Sequence, residues 1–202
     1  KHELSMARSI QESLLPKELP NLPGWRLAAH WEPARSVGGD FYDFIRLPGE
    51  RLGIVVGDVT DKGVPAALVM ANTHSVLRAV VNSAIQRDGA QSPAWILAHM
   101  NDAMVPDMPM MMFVTCLIAI LDPLQGRLRY STAGHPPPIH RSREGAISLP
   151  GRGVPLGLFE KKSYEDREVE VAHGDFLLLF SDALIEAHNP QEDMFGDVML
   201  ME

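Results

Sequence analysis

The sequence contains little cysteine and no long uninterrupted apolar run. Cys116 is the single cysteine among 202 residues, which excludes an internal disulfide and is typical of a reducing compartment such as the cytoplasm. It lies in an apolar stretch between Val114 and Ile118, so we interpret it as a buried small hydrophobic side chain and not as a reactive thiol. No apolar run approaches the roughly 18–20 residues that span a bilayer, and no signal peptide is visible. We therefore expect no membrane insertion of this segment.

Positive charge is also scarce. The chain has 18 Lys and Arg residues against 26 Asp and Glu residues, giving a formal net charge of −8. This balance argues against nucleic acid or an anionic membrane surface as a partner. With 46% hydrophobic and 22% charged residues, the composition is that of an ordinary globular domain with a proper core.

Hydrophobic periodicity predicts an α+β fold. Apolar residues at helical spacing predict a helix over residues 1–15, which ends at Pro16, and further helices over 64–87 and 93–105, the last with Ser92 as its N-cap. Alternation predicts strands at 25–31, 40–47, 51–56, 113–121 and 127–133, with shorter ones near 139, 147, 163–171 and 176–180. Strands, two adjacent helices and then many strands indicate antiparallel sheets and not alternating βαβ units.

Three aspartates share a context that indicates metal binding. Asp40 opens a strand after two glycines, whereas Asp58 and Asp182 each follow an apolar strand. Each could simply cap a turn, but a carboxylate beside a buried strand is costly unless it is satisfied, and three of them together favour a shared cation. Oxygen ligands suit Mg²⁺ or Mn²⁺, and no zinc-type spacing of His and Cys occurs. We interpret Asp61 as the N-terminal cap of the following helix and not as a ligand.

Several ordered motifs carry a family resemblance. They are Ser36-Val37-Gly38-Gly39-Asp40-Phe41-Tyr42-Asp43, Gly57-Asp58-Val59-Thr60-Asp61-Lys62-Gly63, Ala133-Gly134-His135-Pro136-Pro137-Pro138, and Leu179-Phe180-Ser181-Asp182-Ala183. The sequence resembles the protein phosphatase 2C-like (PPM) family, in the bacterial branch that includes the sporulation stage II phosphatase E and RsbU. The resemblance covers nearly the whole chain.

The resemblance implies a two-sheet antiparallel β-sandwich flanked by helices, with two Mn²⁺ or Mg²⁺ ions at one end. By position, Asp58 would bridge both ions, the carbonyl of Val59 would be a further ligand, Asp40 would bind one ion and Asp182 the other. The implied activity is hydrolysis of phosphoserine or phosphothreonine on a regulatory protein, such as an anti-sigma-factor antagonist, in a bacterial stress-response or other signalling pathway. Arg35 is a candidate for gripping the phosphate, or else a solvated loop charge. We interpret His135 as structural and not as a general acid.

The resemblance also implies a division into a linker helix, residues 1–16, and a phosphatase domain, residues 17–202. The helix either packs on its own domain or leads from an upstream sensor or receiver domain and pairs with a second copy in a homodimer. Two departures are visible: Ala183 replaces the glycine usual in the family, and no terminal aspartate pair occurs before Glu202. We therefore expect a C-terminal truncation. The alternative is a pseudo-phosphatase that serves as a binding or adaptor module. The run of residues 108–112, rich in methionine, is either a mobile flap or core filling.

Overall fold

The computed structural model describes residues 2–86 and 92–201. These residues form four helices and eight strands. The helices are α1 (His2–Leu14), α2 (Val64–Gln86), α3 (Pro93–Met104) and α4 (Gly196–Met201). The strands are β1 (Phe41–Arg46), β2 (Leu52–Val59), β3 (Val114–Asp122), β4 (Arg127–Ala133), β5 (Ile139–Ser142), β6 (Gly145–Ser148), β7 (Arg167–Glu170) and β8 (Phe176–Leu178). Short 3₁₀ turns cover Val105–Asp107 and Asp182–Leu184.

The strands form two antiparallel sheets. The larger has the order β1-β2-β3-β4-β7, and the smaller has the order β6-β5-β8. In the first hairpin Phe41 pairs with Gly57 and Arg46 with Leu52, so the start of β1 lies beside the end of β2. This register follows from the tight turn at Pro48-Gly49-Glu50, in which Gly49 and Glu50 both adopt positive φ. It brings the residues that flank these two strand ends, Asp40 and Asp58, to the same edge of the sheet.

Two hydrophobic clusters lie on opposite faces of the larger sheet. One joins the inner faces of α2 and α3 to β1, β2 and β3, and includes Phe41, Met70, Leu97 and Ile118. The other lies between the two sheets, where Leu117 and Tyr130 of the larger sheet meet Leu177 of the smaller one. The chain therefore has three layers, helices on a five-stranded sheet on a three-stranded sheet, which confirms the predicted α+β sandwich.

Helix α2 is long and apolar enough to cross a membrane by length and composition alone, and 39% of its most apolar window is buried inside the protein. Eight of its residues are buried, among them Met70 and Leu77, which are fully inaccessible. Since these side chains pack on β1–β3, we interpret α2 as a core helix of the domain.

The strand predicted at residues 25–31 is wrong, because this segment is irregular. Its alternation reflects side-chain burial and not strand pairing. The indole of Trp25 donates to the carbonyl of Pro123 (3.2 Å), and the indole of Trp31 donates to the carbonyl of Asp40 (2.9 Å). An alternating pattern records which side chains face the core, and a segment lying across a sheet without joining its ladder produces the same pattern.

Helix α1 forms where it was predicted, and it contacts the domain through Gln11 and through Leu14, which packs against the hydrophobic core. Gln11 is its one buried residue, whereas Met6 and Ile10 are 53% and 62% exposed. The short predicted strands also form, although β7 and β8 are shorter than their predicted ranges.

Candidate active site

The three predicted aspartates lie at one end of the sandwich. Asp40 immediately precedes β1, and Asp58 is the penultimate residue of β2. Asp182 opens the 3₁₀ turn that follows β8, on the second sheet, and its side chain is exposed, whereas Asp40 and Asp58 are half-buried. The antiparallel register of β1 and β2 places the first two together, and the end of β8 brings in the third.

The carboxylates perturb one another. Burial, followed by repulsion from Asp40 and Asp182, raises the pKa of Asp58 to about 7, although the backbone N–H of Val59 opposes this by hydrogen bonding to the carboxylate. Burial and the charge of Asp182 likewise raise the pKa of Asp40, against a hydrogen bond from the side chain of Ser181. Burial and mutual repulsion both disfavour the ionised carboxylates, and a bound cation would offset both effects. This arrangement is therefore the one expected of a cation-binding site.

Glu186 is a fourth carboxylate at this end, and its charge also raises the pKa of Asp58. Sequence reasoning missed it. The signal was its position four residues after Asp182, with a short helical turn between them, which places both acids near one face.

The carboxylates of this cluster are the type of ligand that a hard divalent cation prefers, but they do not surround a single point as a complete ligand shell would. Oδ1 of Asp40 is buried and has no hydrogen-bond partner, a costly state for a carboxylate oxygen unless a cation satisfies it. The neighbouring groups are all carboxylates, which suit Mg²⁺ or Mn²⁺. Within residues 2–86 and 92–201, however, no three Asp, Glu, His or Cys side chains stand at mutual ligand distance. The carboxylates are thus close enough to repel one another without converging on one point.

Gly39 allows the loop before Asp40 to lie against the end of β2. A Cβ atom at this position would stand 2.5 Å from the carbonyl oxygen of Val59 and 3.0 Å from Oδ1 of Asp58. Only a residue without a side chain permits this approach. The carbonyl of Val59, which was predicted as a ligand, therefore faces the same loop that carries Asp40.

Two anchors hold that loop, and the sequence did not reveal either. The side chain of Gln11 on α1 donates to the carbonyl of Gly38 (2.6 Å) and accepts from its N–H (3.1 Å). The indole of Trp31 binds the carbonyl of Asp40. The contact of Gln11 joins residues 27 apart and that of Trp31 residues nine apart, and neither belongs to a helical or strand repeat that a sequence pattern would reveal.

Asp43, the second acid of the first motif, is not part of the carboxylate cluster. It is fully buried and accepts hydrogen bonds from Nε2 of His74 (3.1 Å) and from Nε and Nη2 of Arg78 (both 2.6 Å). It therefore joins β1 to α2, and a buried ion pair that is hydrogen-bonded in this way fixes how the two elements pack.

The remaining predicted residues lie at the margin. Arg35 is exposed and makes no ion pair among the described residues, and its Nη1 lies 3.7 Å from where a Cβ of Gly63 would stand. Asp61 does not cap α2 as predicted: it adopts φ +77 and accepts from the N–H of Lys62 (2.7 Å), whereas α2 begins at Val64. The residues 108–112 divide, since Met108 packs against Gly157 while Met110 and Met111 are at least 90% exposed.

The two-sheet architecture with a carboxylate cluster at one end defines the class of this protein, the PP2C-like phosphatase fold. The structure of the SiaA-PP2C domain of Pseudomonas aeruginosa has the same fold, with a TM-score of 0.76 and 26% sequence identity over 99% of this chain and 78% of that chain. A family model described as Stage II sporulation protein E (SpoIIE) matches residues 48–202. The chain belongs to the SpoIIE family, which confirms the family predicted from the motifs.

Two characterised relatives match over most of the chain. Protein IcfG of Synechocystis sp. is 32% identical over 99% of this chain and 35% of its own length. Phosphoserine phosphatase RsbU of Bacillus subtilis is 27% identical over 92% of this chain and 54% of its own length. The chain thus spans about a third to a half of these relatives.

Proposed function

We propose that this domain is a Mn²⁺- or Mg²⁺-dependent phosphatase that removes phosphate from phosphoserine or phosphothreonine on a regulatory protein. The observation that carries the proposal is the carboxylate cluster around Asp58, whose pKa is raised to about 7 by burial and by its acidic neighbours. Such a cluster is unfavourable for the domain itself, so a functional reason for it is required. Membership of a metal-dependent phosphatase class and similarity to a phosphoserine phosphatase supply that reason.

Asp58 and the carbonyl of Val59 would hold two ions jointly, with Asp40 on one ion and Asp182 on the other. When bound, such ions supply positive charge that offsets the charge developing on the phosphate, and they acidify water. The chain's own groups hold these ligands in place. The N–H of Val59 orients the carboxylate of Asp58, and Ser181 orients that of Asp40. Arg35, exposed and without an acidic partner among the described residues, is suited to bind the phosphate dianion through its planar guanidinium.

The cellular setting follows the relatives. We propose a cytoplasmic signalling protein in which α1 connects the domain to an upstream sensor or receiver domain, and a substrate such as an anti-sigma-factor antagonist. The buried, unpaired Cys116 is compatible with a reducing compartment. The exposed apolar side chains of α1, Met6 and Ile10 among them, are compatible with pairing of two copies along this helix.

An adaptor without catalytic activity is the second candidate. The open arrangement of the carboxylates within the described residues and the replacement of glycine by Ala183 favour it. The two candidates differ in whether the cluster binds a metal productively.

The test is hydrolysis of an aryl phosphate and a phosphothreonine peptide by the full-length protein, with and without Mn²⁺. Asp58→Asn is compared with wild type, and Glu144→Gln, which removes one negative charge from the exposed β5–β6 hairpin, is the matched control. Turnover that requires Mn²⁺, survives in Glu144→Gln and falls at least 100-fold in Asp58→Asn would support the enzyme. A folded protein that shows no turnover at any Mn²⁺ concentration would contradict the enzyme and favour the adaptor.

A further inference from the structure

His135 lies in the connection between β4 and β5, enclosed between the two sheets and only 4% exposed. Its backbone is held by Thr132, whose hydroxyl donates to the carbonyl of His135 (2.7 Å) and accepts from its N–H (3.1 Å). Gly134 just before it adopts φ +70, a conformation that favours glycine. These contacts fix the backbone of His135 and so the position from which its ring projects.

Both ring nitrogens are engaged, one towards each sheet. Nε2 lies 3.0 Å from the carbonyl oxygen of Phe180, and Nδ1 lies 2.9 Å from the hydroxyl of Thr115. A carbonyl only accepts, so Nε2 carries the proton and donates to Phe180. Burial lowers the pKa of His135 to about 4, which keeps the ring neutral, so Nδ1 accepts from the hydroxyl of Thr115. A ring with both nitrogens occupied is not available as a general acid.

The partners of this ring are close neighbours of the proposed ligands. Phe180 precedes Asp182 by two residues, at the end of the smaller sheet. Thr115 is the register partner of Asp58 in the larger sheet, so the β2–β3 pairing joins the two residues. The single hydroxyl proton of Thr115 is directed to Nδ1, and the carbonyl oxygen of Asp58, at 3.3 Å, is its more distant second acceptor. The imidazole thus connects the backbone that carries Asp182 to the backbone that carries Asp58.

We propose that His135 is a positioning residue that sets the distance between the ligands on the two sheets by tethering the end of β8 to the β2–β3 pair. This inference rests on the proposed metal-dependent function. The two ligands belong to different sheets, so the spacing between sheets at this end decides whether both reach one metal centre. A histidine that merely fills the core would stabilise the fold without affecting metal affinity selectively.

The chain offers a matched control in His140. It is also a buried histidine, 8% exposed, and its Nε2 binds Oδ2 of Asp175 (2.9 Å), immediately before β8. His140 therefore supports the first residues of β8, whereas His135 holds the residues that follow its end. Loss of His140 should lower stability without moving Asp182 relative to Asp58.

The experiment compares four proteins by titration with Mn²⁺, followed calorimetrically or by the EPR signal of free Mn²⁺, with thermal unfolding in chelator measured alongside. His135→Asn keeps an acceptor for Thr115 but is too short to reach Phe180. His135→Gln places its amide N–H near the position of Nε2 and retains that hydrogen bond. Loss of a hydrogen bond that positions metal ligands without binding the metal itself weakens metal affinity roughly 10-fold or more. We expect this loss in His135→Asn and a smaller, severalfold loss in His135→Gln, which keeps the bond to Phe180 but not the one to Thr115. His140→Asn should keep wild-type affinity at a similar loss of thermal stability.

The outcomes are distinguishable. If the wild type binds Mn²⁺ and hydrolyses phosphate but His135→Asn and His140→Asn have the same affinity, the positioning role is wrong and the proposed function stands. If the wild type neither binds Mn²⁺ nor turns over substrate, the proposed function fails and this inference with it. Should His135→Asn not fold, Thr115→Val removes the hydroxyl on the other side of the ring at nearly constant volume. It should weaken Mn²⁺ binding severalfold, and unchanged affinity there would also overturn the role.

Discussion

Asp58 lies where its own charge opposes folding. Burial and the charges of Asp40 and Asp182 raise its pKa, so its ionised form is unfavourable in the folded domain when no cation is present. We predict that Asp58→Asn, which abolishes Mn²⁺-dependent turnover, stabilises the chelator-treated domain. Asp58 is partly exposed and solvent screens much of the repulsion, so the expected gain in free energy of unfolding at pH 8 is about 1 kcal/mol. Chemical denaturation measures it.

In saturating Mn²⁺ the wild type should become more stable than Asp58→Asn, because the cation stabilises the wild type by mass action and the variant much less. A variant that is less stable than wild type in chelator would mean that Asp58 contributes favourable contacts that outweigh its repulsion.

Gly39 is required for a different reason, which is space. We predict that Gly39→Ala costs about 1–3 kcal/mol of stability, because the new methyl group displaces the carbonyl of Val59 or the carboxylate of Asp58. Activity at fixed Mn²⁺ should fall by a larger factor than stability alone explains. Gly53→Ala is the control: Gly53 lies in β2, at the end of the strand away from Asp58, and its Cβ would meet nothing closer than 3.4 Å. Equal effects of the two substitutions on Mn²⁺ affinity would contradict this explanation.

The residues of the cluster differ in how far sequence could predict them. Asp40, Asp58 and Asp182 stand at strand ends beside glycine or serine, and that local context was sufficient to select them. Trp31 acts through one hydrogen bond and Gln11 through two, all to backbone atoms of a loop whose position depends on tertiary packing. A residue whose partner is fixed by the fold and not by a repeating pattern carries no sequence signal.

Helix α1 is joined to the domain at its C-terminal half, by Leu14 against the hydrophobic core and by the hydrogen bonds of Gln11 to the loop before β1. We predict that Gln11→Ala lowers the free energy of unfolding by about 1–3 kcal/mol, since it leaves the N–H and carbonyl of Gly38 without their partner. It should also increase hydrogen exchange at Gly38 and Gly39, because the loop loses its tether to the helix. Glu12→Ala is the control, since Glu12 pairs only with Arg8 on the exposed surface. Unchanged exchange in Gln11→Ala would show that the loop is held by Trp31 alone.

At the scale of elements, the sequence predicted those with a strong period and a local stop signal. Helix α2 follows its predicted range from Val64 to Gln86, and the predicted last residue, Arg87, lies outside the described residues. Helix α3 begins at Pro93 after its N-cap Ser92, whose hydroxyl accepts from the N–H of Trp95. The hairpins formed where turn residues fixed them. The segment at 25–31 failed, because pairing requires a partner with free backbone groups and the single-chain pattern does not contain that information.

At the scale of the whole molecule, the carboxylate cluster lies at the end of the sandwich where the two sheets meet. The larger sheet brings Asp40 and Asp58 together through one hairpin, so their proximity is fixed by local register. Asp182 arrives on the smaller sheet, and its position depends on how the two layers pack around Leu117, Tyr130 and Leu177. Local context therefore selected all three aspartates, but only the proximity of Asp40 to Asp58 follows from a local hairpin. The approach of Asp182 depends on the packing of the two sheets, which no local pattern contains.

The contact between the layers should make stability depend on pH through His135. Its pKa in the folded protein is about 4, against 6.5 in the unfolded chain, because burial disfavours the charged ring. Between pH 6.5 and 4 the unfolded chain therefore binds a proton that the folded protein does not. It follows that the stabilisation is complete above pH 6.5 and is lost as the pH falls towards 4, by roughly 3 kcal/mol at most. The variant His135→Gln does not titrate, and protonation of Asp58 acts on both proteins alike. Chemical denaturation in chelator at pH 7.5 and pH 4.5 should therefore show the stability of wild type falling relative to the variant by about 2–3 kcal/mol. A difference that stays constant across this window would mean that the ring has the same pKa in the folded protein as in the unfolded chain, which contradicts a buried ring held neutral between Thr115 and Phe180.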